Sequence, residues 1–143
     1  MKSLCMCAAG VSLSACVTAG SGGPLNLDPS MPQEVRQAAT CHLFNADAPR
    51  YLGAAQLSMH DHGEAAGFWG ERLQQMEGNA AIRERILLSG RETMASDYAP
   101  APRDLPGSAQ PADADYQAVI RSCVQARDAL EAAAALRQQA GSN

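Results

Sequence analysis

The amino-acid sequence predicts an all-α protein, a small four- to five-helix bundle that follows a cleaved signal and a flexible tether. Aromatic residues make up only 4% of the chain, and the residue types that strands favour are scarce, whereas Ala is abundant. Apolar residues also recur at helical spacing in several segments. Stretches rich in Gly or Pro, which interrupt helices, separate these segments. We therefore expect one helical domain over residues 32–143.

The first predicted helix begins at residues 30–33, where Ser30 and Gln33 have the spacing of a capping box. Pro49 should end or interrupt it, and residues 51–57 are expected to form a further short helical piece. The apolar stripe of this helix consists of Val35, Ala38, Ala39 and Leu43. Such a stripe predicts that one side of the helix faces a core.

Two further helices are predicted over residues 63–76 and 80–98, separated by the stop signal Gly78-Asn79. The stripe of the first consists of Ala65, Phe68, Trp69, Leu73 and Met76, and that of the second of Ile82, Ile86, Gly90, Met94 and Tyr98. We expect Asp61 to cap the first of these helices, with Glu64 completing its capping box, and Asn79 to cap the second.

The last predicted helix follows an exposed Pro-rich connection over residues 99–112 and ends near Gly141. Asp113 and Asp115 lie where a helix N-terminus favours negative charge. Its apolar stripe consists of Tyr116, Val119, Ile120, Cys123, Leu130, Ala133 and Ala134. Because Cys123 lies on this stripe, its thiol should face the core.

The first sixteen residues have the pattern of an export signal. Lys2 precedes an apolar run over residues 4–13, which is shorter than the roughly 20 residues a membrane-spanning helix needs. The tetrapeptide Leu13-Ser14-Ala15-Cys16 follows. It resembles the lipobox of bacterial lipoproteins at every position. The resemblance implies that residues 1–15 are removed and that Cys16 carries the lipid.

Two other interpretations of this segment remain open. It could be an ordinary secretory signal cut after Ala19, or a buried helix of a cytosolic protein. In the lipoprotein pattern an Asp at residue 17 favours the inner membrane, and this chain has Val17. The lipoprotein interpretation therefore favours the outer membrane, with the domain facing the periplasm.

Residues 16–31 contain the lipidated Cys and a stretch rich in Gly, Ser and Pro, which predicts a flexible tether. The only Lys lies in the signal, so the mature chain has ten Arg against fifteen Asp and Glu, a net charge of −5. An acidic chain without a basic cluster argues against nucleic acid as a partner and against electrostatic binding to anionic lipids. Membrane attachment would then depend on the lipid.

Removal of the signal and acylation of Cys16 leave two of the five Cys, Cys41 and Cys123. An even pair in an oxidising compartment predicts a disulfide between the two. In the loop-entropy description a bridge across about 80 residues contributes at most roughly 4–5 kcal/mol to stability. The alternative is two buried free thiols.

The one polar cluster of chemical interest is residues 60–64. His60, His62 and Glu64 are candidate ligands for zinc or copper. On a helix, His60 and Glu64 could share a face, whereas His60 and His62 would do so only in an extended segment. A further ligand, such as His42, would be needed. The alternative is a capped helix start at Asp61 with the histidines in the exposed turn before it.

No motif in the sequence identifies a reaction. Signatures of serine hydrolases, phosphate-binding loops and haem attachment are absent from the sequence. The leading hypothesis is a non-enzymatic, membrane-tethered domain without a cofactor, which docks an envelope protein or a wall component. The second is a periplasmic protein that uses residues 60–64 to bind a divalent metal or a small ligand. The third is an enzyme whose site consists of scattered Asp, Glu and Arg.

Overall fold

A computed structural model describes residues 23–98, 100 and 114–142 of the chain. Within these residues it contains six helices and no strand, which confirms the predicted all-α class. The helices are α1 (Gln33–Ala46), α2 (Ala48–Tyr51), α3 (Ala54–Leu57), α4 (His62–Met76), α5 (Ala80–Asp97) and α6 (Ala114–Gly141). Four are long, and α2 and α3 are single turns that connect α1 to α4.

Helix α1 is the centre of the bundle and packs against α4, α5 and α6, most extensively against α4. Its predicted stripe is buried, and the opposite side of the helix also contributes buried residues, including Cys41 and Asn45. A helix that is buried on several sides is the expected centre of a small bundle. Helices α1 and α4 approach closely at Gly70, where an added Cβ would lie 3.0 Å from Nδ1 of His42.

Helix starts at α4 and α5 follow the predicted caps. The Asp61 carboxylate accepts a hydrogen bond from the Glu64 amide at 2.8 Å, and the Asn79 side chain accepts from the Ala81 amide at 3.0 Å. Helix α1 begins at Gln33, within the predicted residues 30–33, but the predicted cap at Ser30 is wrong. The Ser30 amide donates to Asp28, and α1 begins after Pro32 without a side-chain cap.

The predicted tether over residues 16–31 overlaps the packed part of the structure. Leu25 and Leu27 are 0% and 2% exposed, and both belong to the hydrophobic core. Two turns shape this segment, with hydrogen bonds from the Asn26 amide to the Gly23 carbonyl and from the Met31 amide to the Asp28 carbonyl. The flexible assignment is therefore wrong for residues 23–31. The composition predicted a linker, but the side chains of Leu25 and Leu27 pack into the core.

Four aromatic rings pack together where α1, α2, α5 and α6 meet. Phe44 lies 4.6 Å from the Tyr116 ring, and Tyr51 stacks on Tyr116 at 5.1 Å. Tyr98 completes the cluster, with its ring 5.3 Å from that of Phe44. The Tyr116 hydroxyl donates a 2.6 Å hydrogen bond to the Phe44 carbonyl. Burial, together with the charge of Asp47, raises the pKa of Tyr116 above its ordinary value, so it stays a donor.

A disulfide joins α1 to α6, as the cysteine pattern predicts. The sulfur atoms of Cys41 and Cys123 are 2.02 Å apart, and the Cα atoms are 5.5 Å apart. Both residues are buried. The bond therefore clamps the first half of the last helix to the central helix.

The second half of α6 extends beyond the bundle. Tyr116, Ile120 and Cys123 are its buried residues. Of residues 131–142 only Ala134 is partly buried, and the rest are exposed. The predicted apolar stripe is thus correct in its first half, whereas Ala133 faces solvent. No helix among the described residues is both long and apolar enough to cross a bilayer.

Several predictions concern residues outside the described part of the chain. These are the signal over residues 1–15, the lipid attachment at Cys16, most of the connection over residues 99–112, and Asp113.

Candidate functional site

The candidate functional site is an open cleft between α4 and α6, with a volume of about 370 Å³. One side of it is formed by the residues that precede and begin α4, and the other by the middle of α6. The floor is Asn45 from α1, Trp69 from α4 and Cys123 from α6. Trp69 is 1% exposed, so its ring closes the bottom of the cleft. We call this feature the α4–α6 cleft. Its further lining residues are Met59, His60, Asp61, Glu64, Ala65, Val124, Arg127, Asp128 and Glu131.

Arg127 connects the two walls of the α4–α6 cleft. Its guanidinium donates to the Glu64 carboxylate on α4 and, at 2.7 Å, to the Glu131 carboxylate one turn further along α6. These hydrogen bonds raise the pKa of Arg127 above its ordinary value, so it remains a cation. The same guanidinium lies 5.0 Å from the centre of the Phe68 ring, within range of a cation–π contact. Arg127 therefore links α4 to α6 across one side of the cleft.

The rim of the cleft is acidic. Asp61, Glu64, Asp128 and Glu131 supply four negative charges and Arg127 one positive charge, which leaves −3 with neutral His60. Glu64 and Glu131 are paired with Arg127, and no ion pair between described residues includes Asp61 or Asp128. A cleft with this acidic rim favours ligands that carry positive charge.

His62 lies beside the cleft at the start of α4 and is buried, with 7% of its surface exposed. The Asn45 amide nitrogen donates to the Cys41 carbonyl at 2.8 Å, which leaves the Asn45 side-chain oxygen to accept from His62 Nδ1 at 2.9 Å. Nε2 of His62 is buried without a hydrogen-bond partner among the described residues. This network assigns the neutral form with the proton on Nδ1.

Burial lowers the pKa of His62, because the charged ring would lose hydration. The positive potential of neighbouring His60, whose ring centre is 6.0 Å away, acts in the same direction. The Gln56 backbone and the charge of Asp61 oppose these effects without reversing them. His62 therefore belongs to the packing between α1 and α4, and not to the exposed turn in which the sequence placed it.

The predicted metal ligands do not come together as a coordination group. His60 is exposed on the cleft rim, His62 is held by Asn45 beneath it, and Glu64 is paired with Arg127. The His42 ring donates from Nδ1 to the Ala66 carbonyl at 2.9 Å, within the contact of α1 with α4. Across residues 23–98, 100 and 114–142, no group of three or more His, Cys, Asp or Glu side chains could hold a metal ion. His60 lies before the start of α4, whereas His62 faces Asn45 and Glu64 faces Arg127, so the three side chains point to different partners.

Most residues that line the α4–α6 cleft were not predicted from the sequence. Asn45, Arg127 and Asp128 come from two helices that are far apart in the chain, and no local pattern marks them as neighbours. One signal was available: Arg127 and Glu131 have the i, i+4 spacing of a helical ion pair. It identifies the pair but not Glu64, which the tertiary fold brings from α4.

Comparison with known proteins adds no relative from which a role could be transferred. No protein-family model matches this chain, and no curated protein or solved structure shows significant similarity to it.

Proposed function

We propose that this protein is a lipid-anchored component of a bacterial cell envelope whose helical domain docks another envelope protein or a wall component without catalysing a reaction. The anchor is Cys16, and the outer membrane, facing the periplasm, is the favoured site. The support for the anchor is the lipobox Leu13-Ser14-Ala15-Cys16 behind its short apolar run. The Cys41–Cys123 bond accords with an oxidising compartment.

The observation that carries the docking function is the α4–α6 cleft. Its volume of about 370 Å³ falls in the usual range for binding sites, and a buried Trp forms its floor. The rim charge of −3 opposes acidic partners and favours a basic surface or an amine-bearing wall component.

Anchoring is tested by growth of the expressing cells with labelled palmitate. We expect label in the wild-type protein and none in Cys16→Ser, and we expect mass spectrometry to find a mature chain that begins at residue 16. Cys123→Ser serves as the matched control, because it also removes a sulfur but should keep the label. Unlabelled wild-type protein in the soluble fraction would refute the anchor.

Docking is tested with a photo-crosslinking amino acid placed in intact cells at Glu131 on the cleft rim or at Gln138, an exposed α6 position beyond the cleft. We expect one discrete adduct from position 131 and none from position 138. The adduct should disappear when the charge-reversing substitution Asp128→Arg is added, because a basic partner would then be repelled. Equal adducts from both positions, or an adduct that survives Asp128→Arg, would exclude recognition by the cleft.

A small ligand is the second candidate for the same cleft, because His60, Asp61 and Glu64 line it. Calorimetric titration of the mature domain with zinc and with copper separates this function from docking. Micromolar affinity that is lost in His60→Ala would support the metal function. Absence of heat with both metals would leave docking as the stronger proposal.

A further inference from the structure

The wall that α6 contributes to the α4–α6 cleft begins at the disulfide. The residues of α6 that line the cleft are Cys123, Val124, Arg127, Asp128 and Glu131. Cys123 is also the last buried residue of this helix, after Tyr116 and Ile120. The whole α6 wall therefore lies at or beyond the point where the bond to Cys41 ties the helix to α1.

Beyond the disulfide, the described residues of α6 are held to the bundle by half-buried and exposed contacts. Ala126 and Leu130 are partly buried against the core. Arg127 lies over the Phe68 ring and pairs with Glu64, whose side chain is 62% exposed. An exposed ion pair contributes little to holding two helices together, and α6 packs chiefly against α1 and little against α4. The disulfide is consequently the firmest attachment of the α6 wall.

The start of α6 is attached independently of the disulfide. The Tyr116 ring is fully buried against Phe44 and Tyr51, and its hydroxyl donates to the Phe44 carbonyl at 2.6 Å. Ile120 is buried one turn further along. The Ala-rich sequence that follows is helical by its own propensity. Without the bond, α6 should therefore stay helical and attached at its start, while its second half, which includes the cleft wall, separates from α4.

We infer that the α4–α6 cleft is complete only while Cys41 and Cys123 are joined, so that oxidation of these two thiols switches on docking. In this step the two thiols lose two electrons and two protons to a disulfide oxidant, which becomes a dithiol as the new S–S bond forms. A dithiol reductant reverses it. The inference rests on the proposed function, because it assigns a regulation to the same cleft.

This switch confines docking to the compartment in which the domain is proposed to act. A newly made chain in a reducing cytosol keeps both thiols, so its bundle lacks a fixed α6 wall and does not engage a partner. Export to an oxidising compartment closes the bond and completes the cleft. Docking is thereby prevented until the protein has reached its destination.

Trp69 reports the state of the cleft without a label. It is the only Trp of the chain, belongs to the cleft floor and is 1% exposed. Quenching of its fluorescence by acrylamide, a neutral molecule, measures how readily solvent reaches its ring. The full protein is measured oxidised, after reduction with dithiothreitol, and after reoxidation with oxidised glutathione. Circular dichroism of the same samples measures the helicity.

We expect reduction to raise the acrylamide quenching constant of Trp69 by roughly threefold, because the second half of α6 opens without unfolding the bundle. The helicity should be retained, and reoxidation should restore the original quenching constant. An unchanged quenching constant in the reduced protein would overturn the inference. Loss of helicity on reduction would overturn it too, since the bond would then hold the whole fold and not the cleft wall.

Arg127→Gln in the oxidised protein is the matched control, because it removes the pair with Glu64 and leaves the disulfide in place. We expect a quenching constant close to that of the wild type. An increase as large as that caused by reduction would assign the position of the α6 wall to Arg127 and overturn the inference.

The same switch should govern the crosslink from position 131 in intact cells. The double substitution Cys41→Ser and Cys123→Ser should abolish the adduct, and an adduct that persists would overturn the inference. Absence of the adduct from the otherwise unchanged protein would instead refute the docking function. In that case the quenching of Trp69 still decides whether the cleft depends on the bond.

Discussion

The two ends of the described chain are ordered for different physical reasons. Residues 23–31 contain no helix, yet Leu25 and Leu27 are completely or nearly buried. Residues 131–142 are almost entirely helical, yet Leu136 is 66% exposed and few of the residues pack on anything. The first segment is fixed by burial, since each Leu side chain gains roughly 1.5–3 kcal/mol when it leaves water. The second is fixed by the intrinsic helix propensity of Ala, which needs no partner.

This comparison shows that a segment can be ordered by packing against the core or by its own helix propensity, and that neither requires the other. Ala contributes little to a core because it has almost no side chain to bury, so an Ala-rich helix extends beyond its bundle at little cost. Leu in an irregular segment gains nothing locally and becomes ordered only where a groove exists. In this protein Gly90 provides that groove.

The largest expected effect comes from removal of the bond that attaches α6. The double substitution Cys41→Ser and Cys123→Ser should lower the free energy of unfolding by up to roughly 4–5 kcal/mol, because the bridge closes a sequence separation of 82. Urea denaturation measures it, and wild-type protein in excess reductant is the control. A loss below about 1 kcal/mol would show that packing alone holds α6.

The second effect compares a leucine from each end. Leu25→Ala should cost about 3 kcal/mol, in the usual range of 2–5 kcal/mol for a buried Leu. Leu136→Ala should change the free energy of unfolding by less than about 0.5 kcal/mol, since its side chain is largely exposed. Denaturant titration of both variants checks the pair. Similar losses would contradict the contrast between the two ends.

The third effect concerns the groove beside Gly90, into which Leu25 packs. Gly90→Ala should cost about 2 kcal/mol, because its Cβ would overlap the buried side chains of Leu43 and Leu25. Gly67→Ala in α4 is the matched control, since nothing lies within 4 Å of the added Cβ. That variant should be stabilised by about 0.5–1 kcal/mol through helix propensity. Stabilisation by both substitutions would show that the space beside Gly90 has room for an added methyl group.

The fourth effect is a pH dependence of the free energy of unfolding. It is caused by His62, which lies in neither of the two end segments. Because its folded pKa is lowered from 6.5, the unfolded chain takes up the proton first. Stability should therefore be complete above about pH 6.5 and fall as the pH drops towards the folded pKa. Thermal unfolding at several pH values measures this fall, which His62→Gln should flatten.

The exposed His60 is the control for that measurement. His60→Gln should leave most of the fall in place, because burial is the main cause of the lowered pKa of His62 and His60 a smaller one. An unchanged profile in His62→Gln would assign the pH dependence to other groups.

The smallest global effect is expected at the exposed end of α6. Ala132→Gly should cost about 1 kcal/mol of local helix stability but leave the cooperative unfolding transition in place. Circular dichroism should show reduced helicity at an unchanged Tm. A lowered Tm would indicate that residues 131–142 pack against the rest of the protein in solution.

Much of the fold was predictable from particular residues. Asp61 and Asn79 are short polar side chains at helix starts, and both cap as expected. Trp69, Ile86 and Tyr116 lie on helical stripes and are buried. These features depend on the chain within a few residues of each other, where geometry is fixed by the helix itself.

The candidate site was much less predictable. Residues 60–64 look like a ligand cluster in the sequence, but His62 turns inward to Asn45 and Glu64 turns towards Arg127. Both partners lie on other helices, 17 and 63 residues away. The direction of each side chain depends on which helix packs beside it. A single sequence does not show which helices are neighbours.

By itself the sequence determined the helical class and most ends of the main helices, because each depends on local propensity or capping. It predicted the pairing of Cys41 with Cys123 but did not decide between a disulfide and two free thiols. Only the tertiary structure decided that residues 23–31 are packed, that residues 131–142 are exposed, and that α4 and α6 enclose a cleft above Trp69. Those outcomes depend on the shape of the space between helices, which is a property of all the helices together.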